Sequence, residues 1–509
     1  MFIDGNSLTI NDVVKVARHG EKVTLSPEAI AAINKSRNWV DSIIDSKKPV
    51  YGISTGFGDF SKIFISADKR EELQRNLILS HATGIGDYLS EDIVRTAMLL
   101  RVNSLSKGYS GIRLETVEKL VEFLNHGICP AVPCKGSVGA SGDLAPLSHI
   151  ALVLLGEGEV IKDGKLIQGS VALASSGISP ITLASKEGLA LINGTQIMTA
   201  IAALVCYDMT NLTKISDIAA ALSLEALQGT LASFDERIAL ARPHAGQLCT
   251  AKNINNLAAR SEIIDSHKEC EKVQDAYSIR CISQVHGASK DALARAIETV
   301  NIEMNSATDN PLIIPDTGEI ISGGNFHGQP IALVMDYLKI AISELGNISE
   351  RRISRMMDAN LSGLPAFLTA YPGIGSGLMI TQYTAASLAS ENKVLAHPAS
   401  ADSIPTSANQ EDHVSMGTIA ARQASEILEN VRGILAIELL AAAQGLDFLK
   451  PLTAGEGTNA AYCSIRRFVT RMDEDRIPAA DIKVIYSKIL DETIINEVEA
   501  TIGKLSGHA

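Results

Sequence analysis

The residues with the clearest chemical potential lie in a glycine-rich stretch, Gly136–His149. Its glycines recur at every third position and can adopt backbone conformations that are closed to other residues. Ser141 carries a β-hydroxyl that can be eliminated, and Gly142 offers an unhindered backbone nitrogen. Apolar residues then recur at helical spacing, so we predict that a helix begins near Asp143. The triplet that starts at Ala140 indicates by itself only a turn feeding this helix, with Ser141 or Asp143 as its cap.

The longer run from Gly136 to Pro146 resembles the signature of the aromatic amino acid ammonia-lyases. In that family an Ala-Ser-Gly triplet cyclises to form 4-methylideneimidazol-5-one (MIO), an electrophile that the chain makes from itself. The resemblance implies that the nitrogen of Gly142 attacks the carbonyl of Ala140 and that loss of two waters leaves a methylene from Ser141. A strained backbone in an active site can support such chemistry. We therefore expect MIO as the cofactor, with no nucleotide and no pyridoxal phosphate.

Two further segments resemble tyrosine-bearing motifs of the same family. Val50–Gly58 is a glycine-rich loop that contains Tyr51, with Ser54 where an asparagine is usual; alone it indicates a surface turn. The resemblance implies that a tyrosine removes the β-proton of the substrate, and the candidates are Tyr51 first and Tyr277 second. Because a free tyrosine has a pKa of about 10, we hypothesise that a nearby cation such as Arg280 activates it.

The other segment, Gln274–Cys281, combines an amide, a phenol and a guanidinium. If it is helical, Gln274, Tyr277 and Arg280 fall within roughly a third of the helix circumference. From the spacing alone, a polar helix face explains the pattern equally well. The resemblance implies that Arg280 grips the substrate carboxylate, a task that suits its permanent charge and bidentate geometry.

Two residues correspond to positions at which the family selects the substrate ring. His81 ends a predicted helix over 69–81, where a histidine is more often a cap or a satisfied core residue. Glu411 precedes a predicted helix over 412–446, whose N-terminus a carboxylate stabilises. Both residues resemble the histidine-specific branch of the family. A carboxylate beside the ring suits an imidazole, which donates N–H hydrogen bonds, better than a phenyl group.

Asn193 and Phe326 complete the candidate site. Asn193 lies in an apolar run where an unpaired amide is costly, so it either caps a helix or faces a polar cavity. Phe326 lies in a glycine-flanked loop, Ser322–Gly328. Both segments resemble family motifs, which implies that Asn193, Gln274 and Phe326 position MIO and the substrate. The chain contains no HExxH, P-loop or dinucleotide-binding motif, so we expect no metal ligands and no nucleotide site.

The elements that hold these residues are predicted to be mainly α-helical. Hydrophobic residues make up 46% of the chain and aromatic residues only 4%, a composition typical of helical proteins. Spacings of three and four residues predict long helices that pack as a bundle. They cover residues 197–230, 250–266, 287–307, 329–359, 375–395 and 412–446.

These patterns predict two domains. An MIO-bearing N-terminal domain, residues 1–196, contains small β excursions, among them a hairpin around Asp163-Gly164. Residues 197–509 form a central long-helix bundle and a C-terminal helical region. The resemblance adds that this bundle is similar to the superhelical core of the fumarase and aspartase fold.

Charge and cysteine content narrow the class of protein. A net charge of −13 argues against nucleic acid and anionic membranes as partners. The 7 cysteines are scattered and form no CxxC pair, which favours reduced thiols in a cytosolic protein. With no signal-peptide pattern and no membrane-spanning run, we expect a soluble, cytoplasmic protein. The resemblance implies a homotetramer in which each active site draws on three subunits.

The resemblance finally implies a reaction, the non-oxidative elimination of ammonia from L-histidine to give trans-urocanate in histidine degradation. A self-made electrophile that bonds the amine makes nitrogen a better leaving group. One alternative is a tyrosine ammonia-lyase or an aromatic aminomutase that uses the same MIO. Another is a helical oligomer that keeps the scaffold without the activity.

Overall fold

A computed structural model of the protein describes residues 1–45, 65–269 and 272–508. The predicted loop around Tyr51 lies outside the described residues. Most of the described chain is helical, which confirms the predicted mainly α fold. No helix in this part of the chain combines the length and the hydrophobicity that a bilayer span requires.

The helices vary widely in length, and the longest span eight or more turns. In chain order they are α1 (Ile10–Ala17), α2 (Pro27–Asp45), α3 (Arg70–His81), α4 (Glu91–Ser106), α5 (Leu114–His126), α6 (Leu144–Leu154), α7 (Gly169–Ser175), α8 (Glu187–Ile192), α9 (Gln196–Ala226), α10 (Glu236–Ala241), α11 (Ala245–Leu257), α12 (Glu262–Ser266), α13 (Tyr277–Arg280), α14 (Ile282–Met304), α15 (Gln329–Met357), α16 (Ala359–Ser362), α17 (Met379–Leu395), α18 (Gly417–Asp447), α19 (Glu456–Phe468), α20 (Pro478–Leu490) and α21 (Thr493–Ile502).

The strands are short and form four small sheets among the described residues. They are β1 (Phe2–Ile3), β2 (Thr24–Leu25), β3 (Ile85–Tyr88), β4 (Cys129–Pro130), β5 (Pro133–Lys135), β6 (Glu159–Lys162), β7 (Lys165–Gln168), β8 (Leu312–Ile314) and β9 (Glu319–Ile321). Strands β1 and β2 pair in parallel, whereas β3 with β5, β4 with β6, β6 with β7 and β8 with β9 pair antiparallel.

The predicted hairpin is confirmed as β6 and β7. Lys162 lies opposite Lys165, so the turn consists of two residues. Asp163 and Gly164 both have positive φ, 51° and 73°, as a type I′ turn requires. The local sequence therefore determines this element.

The described residues divide into two compact units. Unit 1 comprises residues 1–207, 297–336 and 398–422, and unit 2 comprises 208–296, 337–397 and 423–509. Four long helices, α9, α14, α15 and α18, contribute residues to both. The predicted domain boundary at residue 196 stays a prediction, because these units are groups of close contacts rather than independently folding segments.

The core of unit 1 that holds the site is built from α3, α6 and α8, which pack against one another. Helix α6 begins directly after Asp143, as predicted, and buries side chains on most of its circumference. A helix that is apolar all round lies inside a protein. The glycine-rich stretch that precedes α6 is therefore anchored to the interior of the unit.

The helical core of unit 2 contains a buried ion pair between Arg352 and Glu438. Arg352 and Glu438 are both fully buried, with Nε donating to Oε1 at 2.5 Å and Nη2 donating to Oε2 at 3.0 Å. Ser349 donates a further hydrogen bond to the same carboxylate. Such a bidentate pair satisfies two groups that would be costly to bury alone.

Some predicted helix limits were wrong, and the reasons are local. The single helix predicted over 250–266 is two helices, α11 and α12, because Arg260 has a φ of +61° and the Ser261 hydroxyl caps α12 by accepting from the N–H of Ile264. The helix predicted over 412–446 begins only at Gly417. Glu411 and Asp412 therefore lie in the loop before α18 and do not stabilise its N-terminus.

Candidate active site

A cavity of about 460 Å³ in unit 1 brings together five of the predicted site residues. They come from the glycine-rich stretch, the junction of α8 and α9, and two loops. These lining residues are Ala140, Ser141, Asn193, Phe326 and Glu411.

The glycine-rich stretch is held by close backbone contacts. Gly142 has a φ of +72°, and a Cβ at this position would lie 2.1 Å from the carbonyl oxygen of Gly194. The two glycines form a parallel bridge, and the N–H of Asp143 donates to the Gly194 oxygen at 2.7 Å. Only a glycine meets both the conformational and the steric requirement at residue 142.

Asp143 links the stretch to α9. Its Oδ2 accepts hydrogen bonds from the N–H groups of Ile197 and Met198 at 3.0 and 2.9 Å, so it caps α9. The predicted capping of α6 by this side chain is therefore wrong. Its Oδ1 accepts from the hydroxyls of Ser137 and Thr418. Complete burial raises the pKa of the Asp143 carboxyl, and these hydrogen bonds oppose the shift.

Glu411 faces Ser141 across the cavity. The Ser141 hydroxyl donates to Oε1 of Glu411 at 3.2 Å, although the two residues are 270 positions apart in the sequence. The Thr406 hydroxyl donates to Oε2 at 2.7 Å, and the backbones of Thr406 and Glu411 pair across a tight turn. Three consecutive residues of that turn have positive φ, Ser407, Ala408 and Asn409. The carboxylate is thus oriented before any ligand enters.

His81 is the last residue of α3, as predicted, and it interacts electrostatically with Glu411. Burial lowers the pKa of the His81 imidazole, and a hydrogen bond to the Leu77 backbone and the charge of Glu411 oppose that shift in part. The Ser80 hydroxyl lies 3.0 Å from Nδ1 of His81. The imidazole is therefore favoured in its neutral form at neutral pH, in which one nitrogen donates and the other accepts.

Asn193 was predicted either to cap a helix or to face a polar cavity, and it does both. It is the C-cap residue of α8 and it lines the cavity. Its Nδ2 donates to Oδ1 of Asp309 at 3.1 Å and to the backbone oxygen of Asn310 at 3.2 Å. Its Oδ1 is buried and accepts no hydrogen bond within the described residues. A buried acceptor without a donor is unusual, and Asn193 lies on a cavity where a ligand can supply the donor.

Arg101 supports the junction on which Asn193 lies. Its guanidinium donates to the backbone oxygens of Ala190 and Asn193 at 3.0 and 2.9 Å. Burial lowers the pKa of Arg101 to about 10, and the charges of Asp309 and Asp143 oppose the shift. The guanidinium stays charged at neutral pH, and its hydrogen bonds stabilise the backbone between α8 and α9.

The structure does not place the remaining predicted residues in this cavity. Gln274, Tyr277 and Arg280 belong to unit 2 and are not among its lining residues. The guanidinium of Arg280 lies 4.6 Å from the ring centroid of Tyr277, which is 71% exposed. Helix α13 spans only four residues, so the predicted shared helical face is wrong for Gln274, which precedes it. Tyr51 lies outside the described residues.

Two histidines on the cavity wall were not predicted. The rings of His327 and His413 stack with an interplanar angle of 1° and centroids 5.6 Å apart. Both lie next to predicted site residues, His327 beside Phe326 and His413 two residues after Glu411. Their closeness in sequence to Phe326 and Glu411 was the one feature of the sequence that could have predicted their place on the cavity wall. Within the described residues, no group of three or more histidine, cysteine or acidic side chains is arranged to hold a metal ion.

Comparisons with known proteins agree on an enzyme of the carbon–nitrogen lyase class. Residues 8–467 match the model of the family described as aromatic amino acid lyase, and the chain belongs to that family.

Curated relatives named histidine ammonia-lyase are similar over nearly the whole length. The protein of Alkaliphilus oremlandii is 57% identical over 502 residues, 99% of both chains. That of Streptococcus pyogenes serotype M6 is 55% identical over 476 residues, 93% of this chain and 92% of its own.

Solved structures of two activities share the fold. The histidine ammonia-lyase from Trypanosoma cruzi has a TM-score of 0.92 at 43% identity and covers 98% of this chain and 95% of its own. The tyrosine aminomutase from Streptomyces globisporus has a TM-score of 0.95 at 39% identity, with 99% of both chains covered. The overall fold therefore does not identify the substrate, which has to be inferred from the side chains of the site.

Proposed function

We propose that this chain is a histidine ammonia-lyase, which eliminates ammonia from L-histidine to give trans-urocanate in histidine degradation. The observation that carries the proposal is the oriented carboxylate of Glu411 in one cavity with Ser141, near His81. An acceptor-only group beside a neutral imidazole suits a substrate whose ring both donates and accepts hydrogen bonds. The identity of 57% to a curated histidine ammonia-lyase supports the same substrate.

The residues at the cavity fit the formation of MIO from Ala140, Ser141 and Gly142. Gly142 has no room for a side chain, and its positive φ bends the backbone of the triplet. The hydroxyl of Ser141 is directed at a carboxylate, and the unpartnered oxygen of Asn193 lies on the same cavity. MIO, once formed, supplies an electrophile for the amine of the substrate, which turns ammonia into a better leaving group.

The remaining roles in this proposal follow from the chemistry of each side chain. Glu411 accepts the N–H of the substrate imidazole, and neutral His81 makes a second hydrogen bond to the same ring. Asn193, Gln274 and Phe326 position MIO and the substrate, and Arg280 binds the carboxylate of the substrate. Tyr51 or Tyr277 removes the β-proton, and the Arg280 guanidinium lies over the ring of Tyr277.

We propose a cytoplasmic homotetramer with shared active sites as the working form. Tyr277 is 71% exposed in the single chain, whereas a closed active site excludes water from the reacting groups. A partner subunit that covers this surface would exclude the water.

The proposal is tested by a product assay combined with the intact mass of the chain. L-Histidine and L-tyrosine are supplied separately, and urocanate is expected only from histidine. The mass should be lower than that of the sequence by two waters. Coumarate from tyrosine would instead establish a tyrosine ammonia-lyase, and β-tyrosine would establish the aminomutase alternative that the Streptomyces globisporus structure represents.

Ser141→Ala separates the chemistry from the scaffold. This variant should fold, keep its full mass and lose urocanate formation, because the β-hydroxyl that becomes the methylene is missing. Ser148→Ala is the matched control, since its hydroxyl donates only to the Leu144 carbonyl within α6. It should keep both the loss of two waters and the activity. Urocanate formation by Ser141→Ala would contradict the mechanism.

A further inference from the structure

A buried ion pair next to the cavity has no part in the function described so far. Lys186 precedes α8, and Asp309 lies in the loop after α14. Their side chains are 0% and 1% exposed, with Nζ of Lys186 2.7 Å from Oδ2 of Asp309. Burying two charges is costly, and one use of such a pair is to specify a single arrangement of its neighbours.

The neighbour that the pair arranges is Asn193. The second oxygen of Asp309, Oδ1, accepts a hydrogen bond from Nδ2 of Asn193 at 3.1 Å. The backbone oxygen of Asn310 accepts another from the same nitrogen at 3.2 Å. Both partners are acceptors only, so a reversed amide would place its oxygen against two oxygens. The side-chain nitrogen of Asn193 therefore donates to protein acceptors, and the side-chain oxygen can accept a hydrogen bond from a ligand in the cavity.

We propose that Lys186 and Asp309 are positioning residues that hold the oxygen of Asn193 ready to accept an N–H from the amine of the substrate. Lys186 holds the carboxylate of Asp309 in place through the ion pair, and Asp309 sets the orientation of the amide. The proposal rests on the proposed function for the identity of the substrate. It explains why a buried oxygen on the cavity has no partner within the described residues.

The test measures binding without turnover, in the Ser141→Ala variant. L-Histidine is compared with imidazolepropanoate, which has the same ring and carboxylate but no amine. Adding Asp309→Asn removes the reason for the amide to keep its orientation, because asparagine can present either a donor or an acceptor. We expect histidine to bind about tenfold more weakly, and imidazolepropanoate to bind unchanged. Lys186→Met should have the same selective effect.

Glu187→Gln is the matched control. Glu187 adjoins Lys186 in sequence and is equally buried, and its carboxylate pairs with Arg113 and Thr116 rather than with Asn193. This variant should lose stability like the others and bind both ligands as before. In the otherwise native enzyme, Asp309→Asn and Lys186→Met should lower kcat/KM for histidine about tenfold or more, with the loss of two waters retained.

Two results would overturn the inference. One is equal binding of histidine with and without Asp309→Asn. The other is an equal loss for imidazolepropanoate, which would make the ion pair a support of the fold only. A native chain that makes no urocanate would refute the proposed function instead, so the two failures are distinguishable.

Discussion

Two hydroxyl groups orient the carboxylate of Glu411, one at each of its oxygens. Ser141 donates to one oxygen and Thr406 to the other, at 3.2 and 2.7 Å. Each carboxylate oxygen has two lone pairs, so each can still accept a bond from a ligand. The residue is therefore prepared for an N–H donor, and its contribution does not require a rearrangement of the loop.

Glu411→Gln is expected to weaken catalysis with histidine. The substitution keeps the shape but replaces one acceptor by a donor and removes the charge. A hydrogen bond to a charged group contributes about 1.5–3 kcal/mol, so kcat/KM should fall by roughly 10- to 150-fold. Asp402→Asn is the control, because it removes an exposed negative charge nine residues away without touching the cavity. A similar fall in both variants would show a general effect of charge.

At the scale of elements, the site depends on contacts between loops and helix ends. The glycine-rich stretch is bound to the α8–α9 junction through Gly142, Gly194 and the capping carboxylate of Asp143. Helix α6 also holds the loop after α3, since the backbone N–H of Gly84 donates to Nε2 of His149 at 3.1 Å. These contacts keep the triplet and His81 in fixed places relative to α6.

Gly142→Ala should destabilise the chain more than Gly164→Ala. The two glycines have nearly equal φ, +72° and +73°, so both substitutions cost about 1–2 kcal/mol in backbone strain. A Cβ at residue 142 would also lie 2.1 Å from the Gly194 oxygen, whereas nothing lies within 4 Å at residue 164. The collision should add at least about 1–3 kcal/mol, measured by urea unfolding. An equal loss of unfolding free energy in the two variants would contradict the close approach of Gly142 to Gly194.

His149 should contribute a loss of stability on acidification. Burial lowers the pKa of His149, so the unfolded chain binds a proton more readily than the folded chain. The free energy of unfolding therefore decreases as the pH falls from the ordinary histidine range, about 6.5, towards the lower folded pKa. Protonation also removes the acceptor for Gly84.

His149→Gln should make this dependence shallower, because the amide oxygen does not titrate in this range. The measurement is the urea midpoint between about pH 7 and pH 5. Ser148→Ala, on the same helix, is the control, because its hydroxyl does not titrate in this range, and it should leave the slope unchanged. An unaltered slope for His149→Gln would contradict the prediction.

At the scale of the whole molecule, the single chain exposes apolar side chains that favour assembly. On α17, Ile380, Tyr383 and Val394 are 58%, 62% and 72% exposed. Large apolar groups clustered on one surface helix are typical of an interaction surface, which supports the proposed assembly. A homotetramer would bury them and would bring residues of different subunits to one site.

The double substitution Tyr383→Asp and Val394→Asp should therefore break the assembly. Sedimentation of the native chain should give the mass of four subunits, and the variant should give smaller species with less activity. Val171→Asp is the control, since Val171 is also 58% exposed but lies on α7. A native chain that sediments as a monomer would refute the proposed tetramer.

Local sequence predicted most of the elements and supplied the candidate site residues. The start of α6 at Leu144 and the turn at Asp163 and Gly164 follow from side-chain periodicity and from allowed backbone angles, which involve near neighbours only. The motifs that carry Ser141, His81 and Glu411 could be read as short strings for the same reason. Helix ends were less certain where a single cap such as Ser261 interrupts a periodic pattern.

Only the tertiary structure decided which of these residues meet. Ser141 reaches Glu411 across 270 positions, Asp143 caps α9 instead of α6, and Lys186 and Asp309 together orient Asn193. No local pattern contains such information, because the energy of a buried polar group depends on the partner that packing brings to it. The sequence names the groups that can react, and the packing of helices around a buried cavity determines how each one is oriented.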